Sequence, residues 1–269
     1  MKYFNRIYTN LYYKALDLLL PGKKILLPPS LIEKKNIFLY FDYEREFGGN
    51  NTKISNNEIE LLLKIFSEYK LNSTWFTVGR IFENYPDSIK MVLENSHEIG
   101  SHTYDHISPF HTSNSNLNND FELFDKVSKT VPDIVGFHSP KNQWSIKIFN
   151  HLSRLNYLYD VSNCGKKRSC NPIRLMIGFK KYIIRLKTMG DDWQLYNSDF
   201  NEDEVMDHFV SLSNSIERGS LGGIGAHPWI LFSDEKILKG YNKFLEYLIK
   251  QNDVNIKTAK SFVKILANK

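Results

Sequence analysis

The chain has 269 residues and a mass of 31.5 kDa, which is enough for one large domain. Hydrophobic residues make up 42% of the chain and aromatic residues 14%, which is enough for a hydrophobic core and does not favour a disordered polypeptide. The formal charge of +5 is spread along the chain without a nucleic-acid recognition motif, so nucleic-acid binding is not predicted.

Residues 1–20 place apolar side chains at roughly helical spacing, with basic residues between them. The apolar run 18–20 is too short for the core of a signal peptide, and no segment reaches the ~20 apolar residues of a membrane span. The pattern predicts an amphipathic N-terminal extension over residues 1–35. Two interpretations stay open: the helix packs on the domain, or it lies on a membrane interface as a peripheral contact.

From residue 36 onward, short apolar runs alternate with amphipathic patterns. The predicted strands are 36–41, 73–78, a strand leading into His102, 134–137, 157–160, 181–186, 222–226 and 255–257. The predicted helices are 57–69, capped by Ser55, then 86–95, 118–131, 144–155, 202–216, 234–250 and one from 260. The polar stretch 112–116 predicts a loop. This rhythm predicts an α/β fold, a distorted or incomplete (β/α) barrel with about seven parallel strands over residues 36–269.

Acidic and imidazole side chains follow several of the predicted strands. His102 and His106 lie four residues apart, after a strand and a Gly-Ser turn, and neutral imidazole is the commonest protein ligand of divalent cations. Asp42 and Glu44 end the first strand and share one face of it, while His227 ends a late strand. Because barrel strands bring their carboxyl ends together, these residues are predicted to form one site.

Five motifs occur in an order that resembles the polysaccharide deacetylase (NodB-homology) family over about residues 36–266. They are Phe41-Asp42-Tyr43-Glu44, His102-Thr103-Tyr104-Asp105-His106, His138-Ser139-Pro140, Asp191-Asp192-Trp193 and Ala226-His227-Pro228. The second motif matches the family pattern in full. The resemblance implies a barrel that hydrolyses N-acyl or O-acyl groups on sugars.

The resemblance also implies roles for the strand-end residues. Glu44, His102 and His106 would hold one divalent metal ion, zinc first, with cobalt, nickel or manganese as alternatives. Such an ion lowers the pKa of water and polarises the acyl carbonyl. Asp42 would act as the general base, and His227 would protonate the leaving amine as the general acid.

The supporting residues are less regular. The backbone N–H of Lys141 would stabilise the oxyanion, and Trp193 would wall the acyl pocket, by resemblance to the family. His138 stands where the family usually has arginine, and Asp191 or Asp192 is expected to be its partner. Gly225 replaces an apolar residue that the family often places against the acyl methyl, which suggests a changed acyl group or a roomier pocket.

These features predict a cytoplasmic, metal-dependent hydrolase, acting at the inner face of the membrane if the N-terminal extension binds there. It would remove an N-acetyl group from a sugar of a cell-envelope glycan or its lipid-linked precursor. Two alternatives remain. One is a deformylase of a formamido sugar or a hydrolase of another small amide. The other is a catalytically inactive carbohydrate-binding barrel, which the presence of His138 in place of the family's arginine favours. Cys164 and Cys170 are predicted to be free thiols, with closure of a small loop as the alternative.

Overall fold

The computed structural model describes residues 22–49, 53–143, 145–162, 171–177 and 181–267. The strands are β1 (Gly22–Lys24), β2 (Lys35–Tyr43), β3 (Thr74–Thr77), β4 (Glu98–Ser101), β5 (Gly136–His138), β6 (Tyr159–Ser162), β7 (Ile173–Ile177), β8 (Lys181–Gly190), β9 (Leu221–Ala226) and β10 (Val254–Ile256). The helices are α1 (Pro29–Ile32), α2 (Asn56–Glu68), α3 (Arg80–Asn84), α4 (Pro86–Glu94), α5 (Asn114–Val127), α6 (Lys147–Arg154), α7 (Glu202–Asn214), α8 (Pro228–Leu231), α9 (Glu235–Ile249) and α10 (Ala259–Ala267).

Seven of these strands are parallel and close into a barrel. Their order is β2-β3-β4-β5-β6-β8-β9, and β9 returns to pair with β2. The predicted (β/α) barrel with about seven parallel strands is therefore confirmed. Outside the ring, β10 extends the sheet beside β2, and β7 pairs antiparallel with β8 and with β1. Neither β1 nor β7 is predicted from the sequence.

Strand β2 shows how the barrel wall separates two cores. Leu39 and Phe41 belong to the apolar cluster shared with the surrounding helices, whereas Phe38 and Tyr40 belong to the cluster inside the barrel. Successive strand residues alternate between faces, so Asp42 continues the inward-facing set at the carboxyl end. A strand buried on both faces explains the continuous apolar run in this part of the sequence.

Helix α10 closes the amino-terminal end of the barrel. Its residues Phe262, Val263 and Leu266 are buried in the same cluster as the interior aromatic rings. Just before them, the backbone N–H of Lys260 donates to the Glu98 carboxylate at 2.9 Å. With this end plugged, the site predicted at the strand ends must open at the opposite, carboxyl end.

Most element boundaries agree with the sequence to within a few residues, and the Ser55 cap of α2 is confirmed by a reciprocal capping box with Glu58. The predicted loop over 112–116 is wrong in its second half, because Ser113 caps a helix that begins at Asn114. This start lies four residues before the predicted one. In the parts of the chain that the structure describes, no helix is both long and apolar enough to cross a membrane.

Several predictions from the sequence concern residues outside the ranges that the structure describes. The amphipathic pattern of residues 1–20, Trp144, Cys164 and Cys170 lie outside the described residues. Within the described part, Ile25 and Leu31 are buried in the interior cluster together with residues of β2. The segment 22–35 thus packs with the barrel, and the domain boundary after residue 35 stays a prediction.

Candidate metal centre

A cavity of about 590 Å³ opens at the carboxyl end of the barrel. Its wall consists of strand-end residues and of residues in the loops that follow them: Asp42, Glu44, Gly48, Gly49, His106, Lys141, Asn142, Asp191, Trp193 and His227. Most residues that the sequence assigns to the site therefore line one cavity. His102, His138 and Asp192 are fully buried just behind it.

Three of the predicted ligands converge here, because Glu44 and His106 line the cavity and His102 lies just behind it. Oε1 of Glu44 lies 2.8 Å from Nε2 of His106 and 3.5 Å from Nε2 of His102. One ligand atom from each residue lies within 4.8 Å of the others, a spacing that can surround a single ion. Two imidazoles and one carboxylate are a donor set that zinc and other divalent ions accept, with further positions left open.

The ring orientation of His102 fits metal binding. Its Nδ1 lies 2.8 Å from the backbone oxygen of His138, so Nδ1 carries the proton and donates to that carbonyl. The lone pair of Nε2 is thereby directed at the cavity. Nε2 of His102 and Nε2 of His106 are buried and form no hydrogen bond of acceptable geometry, although both lie close to Oε1 of Glu44. Two orphaned imidazole nitrogens facing one carboxylate are the arrangement that a bound cation would satisfy.

The electrostatics of these groups agree with that interpretation. Burial lowers the pKa of His102, which favours the neutral ring that a metal ligand requires. Burial alone would raise the pKa of Glu44, but the adjacent imidazoles of His102 and His106 outweigh burial and hold it well below its usual value. The carboxylate is therefore ionised and the imidazole neutral at neutral pH.

Glu44 is oriented by a residue that the sequence does not flag. Nε1 of Trp229, on α8, donates to Oε2 of Glu44 at 3.3 Å and leaves Oε1 facing the two histidines. Gly48 lies directly against the same carboxylate, where a Cβ atom would come within 2.3 Å of Oε2. The proximity of Trp229 to His227 in the sequence is the one signal that could have placed it near the site.

Asp42 is buried beside His138 and His227. Its Oδ2 is 3.5 Å from Nε2 of His138 and 3.8 Å from Nε2 of His227, whereas its Oδ1 has no hydrogen-bond partner. Burial would raise the pKa of Asp42, but His138 and then His102 lower it below its usual value. A buried, ionised carboxylate with one free oxygen can accept a proton.

His227 is held by Asp192. Oδ1 of Asp192 lies 2.6 Å from Nδ1 of His227, and its Oδ2 accepts the backbone N–H of His227 at 2.8 Å. Burial lowers the pKa of His227, yet this carboxylate outweighs burial and raises the pKa well above its usual value. Nε2 of His227 therefore carries a proton and points toward the two carboxylates of the cavity.

Comparisons with known proteins agree with this arrangement. A family model described as polysaccharide deacetylase matches residues 32–159. Over 51 residues the chain is 41% identical to a peptidoglycan deacetylase of Helicobacter pylori, covering 19% of this chain and 17% of that protein. Over 97 residues it is 36% identical to a peptidoglycan-N-acetylglucosamine deacetylase of Bacillus cereus, covering 36% of this chain and 46% of that protein. Together these matches support the assignment of the chain to the polysaccharide deacetylase family.

The matched segments span less than half of either curated relative. The likeness of the fold extends further. A crystal structure from Mycobacterium smegmatis, named as a candidate polysaccharide deacetylase, superposes with a TM-score of 0.75 over 93% of this chain and 95% of that one. Its sequence identity is 16%, so this comparison shows the fold alone.

The chain departs from the pattern of that family at His138, and the structure corrects the partner expected for this residue. Nδ1 of His138 lies 2.9 Å from the backbone oxygen of Val161, and Nε2 faces Asp42. Asp192 binds His227 instead of His138, and the side chain of Asp191 accepts the N–H of Trp193.

The remaining predicted residues lie at the mouth of the cavity. Lys141 follows Pro140 in a left-handed turn with φ of 57°, and it lines the cavity. Trp193 is 53% exposed, and its ring lies 6.0 Å from the ring of His227. Both positions suit residues that meet a substrate as it enters.

The pocket beside Gly225 is not roomier, contrary to the hypothesis drawn from the sequence. A Cβ atom at Gly225 would lie 2.4 Å from Cζ of Tyr40, so the tyrosine ring already fills that space. The hydroxyl of Tyr40 is fixed by a 2.7 Å hydrogen bond to Thr188. The absence of a side chain at residue 225 accommodates an aromatic ring inside the barrel.

Proposed function

We propose that this protein is a divalent-metal-dependent hydrolase that removes an N-acetyl group from an amino sugar. The substrate would be a cell-envelope glycan or its lipid-linked precursor. The observation that carries the proposal is the convergence of Glu44, His102 and His106 beside an ionised Asp42 and a protonated His227 in one cavity. The names of the two curated relatives support a peptidoglycan-type sugar as the substrate class.

Each group has a distinct task in amide hydrolysis. Glu44, His102 and His106 would hold the ion, which when bound lowers the pKa of water and polarises the acyl carbonyl. Asp42 accepts the proton of the attacking water on its free Oδ1. His227 donates the proton at Nε2 to the sugar nitrogen as the C–N bond breaks, leaving acetate and a free amine.

Other residues keep this machinery oriented. Asp192 fixes the ring of His227 and holds its proton at the working nitrogen. The backbone N–H of Lys141 is assigned to the developing oxyanion, since the left-handed turn places Lys141 on the cavity wall. Trp193 is assigned to the acyl and sugar contacts at the mouth. The cytoplasmic location predicted from the sequence stays a prediction.

The first experiment measures bound metal by elemental analysis in wild type, in His106→Ala and in the control His111→Ala. His111 is an exposed histidine five residues beyond His106, so it reports on loss of a histidine outside the cavity. We expect about one divalent ion per chain in wild type and in the control, and almost none in His106→Ala. The absence of metal in all three proteins after addition of zinc or cobalt would contradict the proposal.

A second measurement separates the alternatives. Acetate and formate release from matched N-acetylated and N-formylated amino sugars distinguishes a deacetylase from a deformylase, with Asp42→Asn as the inactive control. A protein that binds metal and glycan but releases neither acid would be the inactive carbohydrate-binding barrel. We expect acetate release from wild type and its loss in Asp42→Asn.

A further inference from the structure

A buried aspartate holds the loop that connects the two metal-binding histidines. Asp120 lies on α5 and is only 4% exposed. Its Oδ1 accepts the backbone N–H of Tyr104 at 2.8 Å, and its Oδ2 accepts the backbone N–H of Asp105 at 2.9 Å. These two amides lie midway between His102 and His106, so one carboxylate binds the centre of the loop.

The loop needs such support because its backbone is strained. Thr103 and His106 adopt left-handed conformations, with φ of 65° and 52°. A left-handed backbone conformation is unfavourable for any residue other than glycine, and it persists only where its surroundings enforce it. Thr103 is the neighbour of His102 in the chain, and the other strained residue, His106, is itself a proposed metal ligand. A relaxed loop would therefore move Nε2 of His106 away from His102.

Contacts from the rest of the molecule hold one side of this loop. The backbone N–H of Gly79 donates to the carbonyl of Thr103 at 2.9 Å, and that of Arg80 donates to the carbonyl of Tyr104 at 3.2 Å. The carbonyl groups of the loop are thus bound to α3 and the residue before it. Asp120 supplies the complementary contact, since it binds the N–H groups on the other side.

The carboxylate form of Asp120 is maintained at a cost. Burial raises its pKa to about 6, and the two N–H donors and His106 act in the opposite direction. Asp105 carries the neighbouring negative charge and forms an ion pair with Arg80. A charged group with two oxygens can accept both amides at once, which an amide or hydroxyl side chain in its place could not do as well.

We propose that Asp120 is a positioning residue that sets the spacing of His102 and His106 for a divalent cation. It does not contact the ion and acts through the backbone of Tyr104 and Asp105. This inference rests on the metal site of the proposed function. It adds a determinant of metal affinity that lies fourteen residues beyond the motif, on a separate helix.

The test is a titration of metal-free full-length protein with Co²⁺, followed by its visible absorption, in wild type and in Asp120→Asn. Asparagine leaves one of the two loop amides without an acceptor. We expect the dissociation constant for Co²⁺ to rise 10- to 100-fold, the range found when groups that orient metal ligands are removed. The cobalt spectrum should change as well. The matched control is Asp125→Asn, an exposed aspartate on the same helix, which should bind like wild type.

Denaturant unfolding of the same proteins separates positioning from general stability. A purely structural role would lower the unfolding midpoint but leave the affinity and the cobalt spectrum of the folded protein unchanged, and that result would overturn the inference. If Asp120→Asn does not fold, Asp120→Glu provides the same comparison, because its longer side chain keeps the charge but displaces the loop. Failure of wild type itself to bind Co²⁺ would contradict the proposed function, a separate outcome.

Discussion

The imidazole of His138 faces the carboxylate of Asp42, with 3.5 Å between Nε2 and Oδ2. Burial alone would lower the pKa of His138, but Asp42 outweighs burial and raises it above its usual value. Protonated His138 would then place a positive charge beside the proposed general base. This is the position where the family usually has arginine, so the substitution preserves a cation of smaller size.

His138→Gln should separate charge from packing at this position. Glutamine can still donate a hydrogen bond toward Asp42 but cannot become cationic. We expect kcat for acetate release to fall by about 10- to 100-fold, while the bound metal per chain stays at the wild-type level. The exposed His111→Gln serves as the control. Equal rates in wild type and His138→Gln would show that the charge of His138 does not assist Asp42.

Asp192→Asn tests the assignment of His227 as general acid. The Asp192 carboxylate raises the pKa of His227, so its removal should lower that pKa. The alkaline limb of kcat/KM against pH, where His227 loses its proton, should then move to lower pH. We expect the rate at pH 8 to fall by roughly 100-fold, within the range that general acid catalysis supplies.

Metal content is the internal check for Asp192→Asn, because Asp192 is not among the proposed ligands. It should remain near one ion per chain, and the exposed Asp199→Asn should match wild type in both assays. An unchanged alkaline limb with full metal loading would exclude His227 as the group that protonates the leaving amine.

The convergence of the main site residues could be predicted from the sequence for a topological reason. Asp42 is the last residue but one of β2, and Glu44, His102 and His227 each follow a strand end directly. Parallel strands of one barrel place those ends together. The resemblance of the ordered motifs to the polysaccharide deacetylase family then implied the roles of these residues. Alternation along β2 also indicated that Asp42 and Glu44 face the same side.

The supporting residues could not be predicted in this way, because they depend on how separate elements approach each other. Asp120 reads as an ordinary polar residue of a helix, although it shares one buried face with Leu117, Phe121 and Phe124. An aspartate on an apolar face is a signal that could have been noticed. That Trp229 would bind Glu44 follows only from the packing of α8.

Tyr40 and Gly225 show a second reason why a prediction from the sequence was wrong. A glycine in place of an apolar side chain suggests free space, but the space in a barrel depends on what the neighbouring strand places there. Tyr40 pairs with Gly225 across β2 and β9, and its ring occupies the vacated volume. The spacing of residues in the sequence does not show which side chain of a neighbouring strand fills the space beside a glycine.

A last prediction concerns stability and His97, a buried histidine outside the cavity. Its Nδ1 accepts the backbone N–H of Ser73 at 3.0 Å, and the rings of Phe66 and Trp75 pack around it. Burial lowers the pKa of His97 from 6.5 to about 4. The unfolded chain therefore binds this proton more readily, so the stabilisation is complete above pH 6.5 and is lost as the pH falls toward 4. The full loss is about 3 kcal/mol.

His97→Asn keeps an acceptor near the position of Nδ1 but does not titrate. Urea unfolding at pH 7 and pH 5 should show the wild type losing about 2 kcal/mol more than the variant over this interval, since most of the window has then been crossed. Subtracting the variant cancels the other histidines, which titrate in both proteins. An equal loss in the two proteins would mean that His97 remains accessible to protons in the folded state.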